Sequence, residues 1–257
     1  MKPSGVRART VDVHRYHEIS ESAHRIMNPV SEARVAEAGA HCGLQPGHRV
    51  LDLACGKGEQ LCQYAHRFGV TGVGIDVHEP LLAVARDRAT ELGLGARVEF
   101  LLGDAVATAA RLEGAFDLVS CLGASWIGGG LKGTLELMRA HAAPSSWLLV
   151  GEVFWAQAAP AAVVERFGPP ETFADLAGTL DRFEEADLEL VELMAASQEE
   201  WDDYATSQWL NVERWLRANP DAPDADDLRA ARDLSRRQYL AEDRGVVGWG
   251  LFVLRPR

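Results

Sequence analysis

Three aspartates and a glycine-rich turn stand where apolar, strand-like segments of the sequence end. Asp52 is followed by the turn at 54–58 (A-C-G-K-G), and Asp76 and Asp104 end the next two strand-like segments. Glycines let backbone N–H groups approach a ligand, and the helix that follows adds its dipole. Carboxylates at strand ends can accept hydrogen bonds from ribose hydroxyls or an adenine amino group. The spacing therefore predicts a site for a nucleotide-type cofactor.

The elements that must position these residues are short apolar strands alternating with amphipathic helices. Strands are predicted at 50–53, 70–76, 97–102, 116–121, 147–154, 188–195 and 246–254. This alternation favours βαβ units and a parallel sheet covered by helices on both faces. Helical patterns at 16–42 and 199–243 are predicted to enclose a small pocket, and residues 1–15 are predicted to form a loose arm.

The composition is that of a globular protein, since 47% of the 257 residues are hydrophobic. The net charge of −12 argues against a nucleic-acid partner, which would need a basic surface. The four cysteines lack the paired C-x-x-C spacing of a zinc site, so no metal is expected. The sequence contains neither an apolar run of membrane length nor a signal-peptide core. A cytoplasmic protein without a membrane partner is therefore expected, and its oligomeric state is left open.

Two other nucleotide-binding patterns fit the glycine turn less well. A dinucleotide fingerprint needs a third glycine, but Leu61 stands at that position after Gly56 and Gly58. A P-loop needs a lysine followed by Ser or Thr, whereas Lys57 precedes Gly58. A dehydrogenase is therefore disfavoured, and the P-loop pattern fails.

Four segments, in this order, resemble the motifs of class I S-adenosylmethionine-dependent methyltransferases. They are D-L-A-C-G-K-G (52–58), I-D-V (75–77), G-D-A (103–105) and F-D-L-V-S-C-L-G (116–123). The first matches D-x-G-x-G-x-G with Ala54 in place of the first glycine, a change that adds only a methyl group. The resemblance covers residues 46–154. It implies an α/β, Rossmann-like fold with strand order 3-2-1-4-5-7-6 and an antiparallel seventh strand.

The same resemblance implies a binding site for S-adenosyl-L-methionine, with S-adenosyl-L-homocysteine as the product. The residues it assigns to the cofactor are Asp52, Ala54, Gly56, Gly58, Asp76, Val77, Asp104, Ala105 and Cys121. Gly56 and its neighbours would hold the methionine part and Asp76 the ribose. Val77, Asp104 and Ala105 would contact the adenine.

The whole chain also resembles a largely uncharacterised group of bacterial methyltransferases. The matching stretches are I-S-E-S-A-H-R-I-M-N-P (19–29), G-A-S-W (123–126), G-E-V-F-W (151–155) and the tryptophan-rich helix at 201–220. The resemblance implies one methyltransferase domain over 1–257. Within it, 16–42 would form N-terminal lid helices, 46–154 the cofactor-binding core, and 199–243 a helical insertion between the last two strands.

Two residues are candidate general bases for methyl transfer. His24 lies in the polar N-terminal segment, and an imidazole suits proton abstraction near neutral pH. Glu152 ends the fifth predicted strand, where it could accept a substrate proton or hold a substrate cation. The structural alternatives are a helix-packing histidine and a carboxylate bonded to nearby backbone N–H groups.

Three aromatic residues are candidate substrate contacts. Trp126 and Trp155 follow the fourth and fifth strands and could form an aromatic wall for a flat or cationic substrate. Tyr204, in the late helix, could reach the same opening. Packing under the helical cap is the alternative for all three.

The sequence therefore predicts an enzyme that transfers a methyl group to a small-molecule acceptor by in-line displacement. The acceptor atom is left open between oxygen, nitrogen, carbon and sulfur. Two alternatives remain. One is a sensor that binds the cofactor without catalysis, and the other is a methyltransferase acting on protein or RNA.

Overall fold

A seven-stranded sheet forms the centre of the computed structural model, which describes residues 12–169 and 172–257. Its strands are β1 (Arg49–Leu53), β2 (Thr71–Asp76), β3 (Val98–Leu102), β4 (Phe116–Leu122), β5 (Ala142–Trp155), β6 (Leu188–Ala195) and β7 (Val247–Pro256). The order is β3-β2-β1-β4-β5-β7-β6. Strands β1 to β5 pair in parallel, and β7 runs antiparallel to β5 and β6. The fold predicted from the sequence is confirmed.

Ten α-helices surround the sheet within the described ranges. They are α1 (Val13–Ser20), α2 (Glu32–His41), α3 (Glu59–Phe68), α4 (Glu79–Glu91), α5 (Ala105–Ala109), α6 (Leu131–His141), α7 (Ala161–Phe167), α8 (Leu176–Glu185), α9 (Gln198–Ala218) and α10 (Ala225–Gln238). A 3₁₀ turn (Gly95–Arg97) precedes β3 and a π-helical turn (Tyr239–Asp243) follows α10. Among these helices, none combines the length and apolar character needed to cross a membrane.

The sheet is covered on both faces, as the strand pattern predicts. Leu61 and Tyr64 of α3 pack with Leu82 of α4 in one fully buried cluster. Met138 of α6 and Phe183 of α8 belong to a second cluster. Because both faces are apolar, the polar ends of β1 to β4 are left at the rim of the sheet, where ligands bind in this class of fold.

The N-terminal segment and the late helices pack on each other beside the sheet. Ile19 of α1 is buried with Val212 and Leu216 of α9 and Leu228 of α10. Helices α9 and α10 lie between β6 and β7 in the chain, where the insertion at 199–243 is predicted. The irregular stretch at 21–31 between α1 and α2 includes the break expected at Asn28 and Pro29.

Two boundaries differ from the sequence prediction. The arm predicted at 1–15 is too long, because α1 begins at Val13 with the Asp12 side chain accepting from the His14 N–H (2.9 Å). The arm's residues 1–11 lie outside the described residues. Strand β5 starts at Ala142, five residues before the predicted start, and pairs there with Phe116. Its first residues, A-A-P-S-S, lack the apolar pattern of a buried strand.

Candidate cofactor and acceptor site

A cavity of about 530 Å³ lies at the carboxyl ends of β1 to β4. It is walled by the glycine turn, the ends of β2 and β3, the loop at 122–127 and residues 25–28. The predicted site residues that line it are Asp52, Ala54, Gly56, Asp76, Val77, Asp104, Ala105 and Trp126. Those that do not line it are His24, Gly58, Cys121, Glu152, Trp155 and Tyr204. The N-terminal segment therefore faces the cleft as expected, but through residues other than His24.

The glycine turn joins β1 to α3 through three left-handed backbone positions. Ala54 has φ 56°, Gly56 has φ 54° and Gly58 has φ 65°. A Cβ at Gly58 would come within 2.7 Å of Phe100 and Ala85 atoms, so glycine there allows α3 to pack against the neighbouring elements. Ala54 does more than add a methyl group to the turn, since a left-handed backbone costs a non-glycine residue about 1 kcal/mol.

Asp76 connects the end of β2 to the glycine turn. Its Oδ2 accepts from the Gly56 N–H (2.8 Å) and its Oδ1 from the His78 N–H (2.9 Å). A carboxylate offers about four acceptor positions, so each oxygen retains capacity for one more donor on the cavity side. This arrangement fits two adjacent hydroxyl groups of a ribose.

The adjoining wall suits a flat, partly polar ring. Val77 lines the cavity with its side chain 71% exposed, which is unusual for a large apolar residue beside a buried strand. Asp104 caps α5, and one of its oxygens accepts from the Ala107 N–H (2.9 Å). Ala105 is buried next to it and lines the same wall. An apolar face beside a carboxylate fits the face and the amino group of an adenine.

Asp52 forms the floor of the cavity below the turn. It is 3% exposed, and burial raises its pKa to about 7 although the Ser120 hydroxyl donates to it (3.0 Å). Cys121 lies behind this floor, fully enclosed, and burial raises the pKa of its thiol far above the usual range. A thiol in that state is not a nucleophile near neutral pH.

Comparisons with known proteins agree with this geometry. A family model described as a methyltransferase domain matches residues 50–144. The uncharacterised protein YjhP of Escherichia coli K12 is 39% identical over 250 residues, which are 96% of this chain and all of that protein. A SAM-dependent methyltransferase from Geobacter sulfurreducens, solved with S-adenosyl-L-homocysteine, is 39% identical and superposes with a TM-score of 0.89 over 96% of this chain and all of that one.

The chain belongs to the S-adenosylmethionine-dependent methyltransferases. A second member, from Thiobacillus denitrificans and also in complex with S-adenosyl-L-homocysteine, has 36% identity and a TM-score of 0.88 over 96% of this chain and all of that one. S-adenosyl-L-methionine is accordingly the methyl donor. The acids at the strand ends, the exposed Val77 and the left-handed turn of this methyltransferase all fit that donor.

The predicted base His24 and the predicted substrate contact Tyr204 both bind Glu21 instead of lining the cavity. His24 Nδ1 lies 2.7 Å from Glu21 Oε2, and its Nε2 lies 2.5 Å from the Ser207 hydroxyl. The Tyr204 hydroxyl lies 2.8 Å from Glu21 Oε1, and Gln208 donates to the same oxygen (2.6 Å). With both ring nitrogens engaged away from the cavity, His24 is poorly placed to take a proton from an acceptor there.

Burial alone would raise the pKa of Glu21, but the hydrogen bonds from His24 and Tyr204 and the imidazole charge lower it overall. Glu21 is 2% exposed, so it is a buried carboxylate stabilised by its donors. Together, Glu21, His24, Tyr204, Ser207 and Gln208 form what we call the Glu21 cluster.

Replacing Glu21 by Gln should lower the free energy of unfolding by about 2–4 kcal/mol, because the neutral amide loses the charge-assisted hydrogen bonds of the buried carboxylate and has one acceptor oxygen instead of two. Chemical denaturation at neutral pH measures this. Glu37→Gln, at an exposed position on α2, is the matched control and should change stability by less than about 0.5 kcal/mol. Equal stability of the two variants would contradict a structural role for the Glu21 cluster.

Glu152 lies one residue from the cavity wall but does not line it. The carbonyl of Gly151 accepts from the Gly123 N–H (2.8 Å), which joins β5 to the wall. Glu152 is 4% exposed, and burial raises its pKa to about 7. Its Oε1 accepts from the Val153 N–H (3.0 Å), and its Oε2 has no hydrogen-bond partner among the described residues. The structural alternative, a carboxylate bonded to a nearby backbone N–H group, therefore applies to only one of its two oxygens.

The two predicted tryptophan contacts have different surroundings in the structure. Trp126 lines the cavity mouth and is 69% exposed. Trp155 instead donates from Nε1 to the Phe173 carbonyl (3.2 Å) and packs edge-on against Phe167 and Phe173. Packing therefore accounts for Trp155, whereas Trp126 is available to a ligand.

The sequence reasoning missed cavity residues on α1, α3, the glycine turn and the N-terminal segment. They include His17, Arg25, Met27, Asn28, Lys57 and Gln60. Gln60 is 5% exposed, and neither its Oε1 nor its Nε2 has a hydrogen-bond partner among the described residues. One signal was present in the sequence, a pair of polar residues, Glu59 and Gln60, at the start of the helix that follows the glycine turn.

Proposed function

We propose that this methyltransferase acts on a small-molecule acceptor that enters the cavity beside the donor. The supporting observation is that residues 25–28 and the loop at 122–127 wall the outer side of the cavity. These two walls are joined where Asn28 Nδ2 donates to the Leu122 carbonyl (3.3 Å). A folded protein or an RNA helix would have to displace this wall, and the net charge of −12 disfavours a polyanion.

We assign the donor's parts to the wall residues as follows. Asp76 accepts from the ribose hydroxyls, Val77 covers the adenine face, and Asp104 accepts from the adenine amino group. The turn around Gly56 holds the methionine part, because glycine allows a ligand to approach the backbone closely at the start of α3. The remaining wall, from residues 25–28 to Trp126, is left for the acceptor.

Methyl transfer is a displacement in which the acceptor atom bonds to the methyl carbon while the electron pair of the carbon–sulfur bond moves to sulfur. Holding the acceptor in line can supply roughly 7–11 kcal/mol of the barrier at the upper end. Where the acceptor atom carries a proton, His17 is a better placed candidate base than His24, because its side chain is on the cavity wall.

A screen of small acceptors that detects S-adenosylhomocysteine release tests this proposal. We expect release with at least one low-molecular-weight acceptor in the absence of any macromolecule. Binding of the donor without release by any acceptor would favour a sensor. Release only with added protein or RNA would favour a macromolecular methyltransferase. The Asp76→Asn variant is the control for contaminating activity.

We propose that Gln60 contacts the methionine part of the donor, because its unpaired amide lies in the first turn of α3 on the cavity wall. Gln60→Leu should weaken S-adenosylhomocysteine binding about 10-fold, the value of one to two lost hydrogen bonds. Apo stability should not fall, since an unpaired buried amide is removed.

Titration calorimetry with 5′-methylthioadenosine provides the control for Gln60→Leu, since this ligand lacks the amino-acid part. Its affinity should be the same for wild type and variant. An equal loss of affinity for both ligands would mean that the substitution damages the cavity in general. This result would contradict the assignment of Gln60 to the methionine part.

A further inference from the structure

The side chain of Lys57 leaves the glycine turn and binds the N-terminal segment. Its ammonium donates to the carbonyl oxygens of Glu21 (2.7 Å), His24 (2.7 Å) and Ser22 (3.3 Å). These carbonyls follow the end of α1, where a positive charge also interacts favourably with the helix dipole. Burial lowers the pKa of Lys57, and the Glu21 charge partly opposes this shift. The three N–H groups of the ammonium are thus matched to three acceptors.

The segment at 21–30, which we call the lid segment, is also attached at its other side. The Glu21 carboxylate bonds to Tyr204 and Gln208 of α9, and the Tyr204 hydroxyl lies 3.1 Å from the Met27 carbonyl. Helix α9 is itself buried against α1. The lid segment is therefore attached to the helical insertion through the Glu21 cluster, to the glycine turn through Lys57 and to the end of β4 through Asn28.

The lid segment lies directly on the glycine turn, which we assign to the donor, and on the end of β4, in the wall left for the acceptor. A Cβ at Gly56 would come within 2.6 Å of the Met27 methyl group, so Met27 covers the turn. A Cβ at Gly123 would meet the Asn28 side chain at 2.1 Å, so Asn28 covers the end of β4. Arg25 extends the same edge toward α3, with Nη1 3.6 Å from Glu59 Oε2. Opening the lid segment would uncover the turn around Gly56 and the end of β4.

We propose that Lys57 is a positioning residue that couples donor binding to closure of the lid segment. A donor lying against Gly56 restricts the turn and so fixes the position of the Cα of Lys57, the next residue. This holds the ammonium in one place, and the carbonyl groups of Glu21, Ser22 and His24 can accept hydrogen bonds from it only when the lid segment is closed. By thermodynamic reciprocity, the closed lid segment raises donor affinity by the same factor by which the donor favours closure.

This inference rests on the proposed location of the donor at the turn. That location is tested separately by the Asp76→Asn variant, which alters neither Lys57 nor any residue of the lid segment. A failure of the coupling is therefore distinguishable from a failure of the proposed site.

The test is hydrogen–deuterium exchange of the full chain with and without S-adenosylhomocysteine, on wild type, Lys57→Met, Lys57→Arg and Lys132→Met. Lys132 is an exposed lysine at the start of α6 and provides the matched control. In wild type and Lys132→Met, the ligand should slow amide exchange at 21–28. In Lys57→Met this slowing should be lost and the ligand's Kd should rise about 5- to 50-fold, the usual range for coupled sites.

The arginine variant distinguishes coupling from general damage. Lys57→Arg keeps a charged donor, so it should recover part of the ligand-dependent slowing that Lys57→Met loses. Exchange at 21–28 that slows equally in wild type and Lys57→Met would overturn the proposal. So would exchange in wild type that is unaffected by the ligand. If Lys57→Met does not fold, Lys57→Arg decides. A Kd and a ligand-dependent slowing of exchange like those of wild type would then support the proposal. Loss of the ligand-dependent slowing in a folded Lys57→Arg would overturn it.

Discussion

Replacement of Asp76 by Asn should weaken the binding of S-adenosylhomocysteine by at least about 30-fold, with little change in fold. A hydrogen bond to a charged group contributes about 1.5–3 kcal/mol, and the ribose would lose the charge on both of its bonds. The amide can still accept through one oxygen, which preserves either the Gly56 or the His78 N–H bond. Titration calorimetry on the folded variant measures the change in Kd.

Asp87→Asn is the matched control for this prediction, because it makes the same chemical change at an exposed position on α4. Its Kd should equal that of wild type. A wild-type Kd for Asp76→Asn would mean that the ribose is bound elsewhere. Thermal melting of both variants without ligand checks that the glycine turn has kept its structure.

Between about pH 5 and pH 8 the free energy of unfolding should fall as pH rises. Burial raises the pKa of Asp52 to about 7 and that of Glu152 to about 7, whereas both groups have values near 4 in an unfolded chain. The native state therefore binds more protons than the unfolded state in this interval, so stability is lost as pH rises through the folded pKa values. Each group should account for about 3 kcal/mol of that loss.

Denaturant unfolding of wild type, Asp52→Asn, Glu152→Gln and the double variant across this pH range measures the effect. Each single substitution should remove that group's contribution to the fall in the free energy of unfolding with pH. At pH 8 each variant should be more stable than wild type. A double variant that keeps the wild-type slope would contradict the assignment of the slope to these two carboxyls.

The strand-end motifs were predictable because each is a local pattern with a local cause. Asp76 and Asp104 end apolar segments of strand length, Asp52 is the penultimate residue of β1, and parallel strands bring such ends together without further information. Val77 could be placed for the same reason, as the residue after a strand-end acid. Ala54 was located correctly, but its left-handed backbone is a property of the folded turn.

The positions of His24 and Tyr204 were not predictable from either segment alone. The sequence places His24 in a cavity-facing segment, but the face it presents is decided by Glu21 three residues earlier and by Ser207 far along the chain. Trp155 was misplaced for a similar reason, because its packing partners Phe167 and Phe173 belong to a separate part of the chain. Long-range hydrogen bonds and ring packing leave no periodic signal in the sequence.

The role proposed for Gln60 could not be predicted from the sequence, for a different reason. Its residue type and helix position are visible in the sequence, yet only its burial without a partner marks it as a candidate ligand contact. A buried amide with neither atom bonded is rare in folded proteins, and a ligand is one source of the missing partners.

A crystal structure of this methyltransferase with S-adenosylhomocysteine is the direct test of the proposed donor site. We expect ribose hydroxyls within hydrogen-bonding distance of Asp76, adenine against Val77 with its amino group near Asp104, and the homocysteine part beside Gly56 and Gln60. A nucleoside bound outside this cavity, or one whose ribose faces Trp126 instead of Asp76, would contradict it.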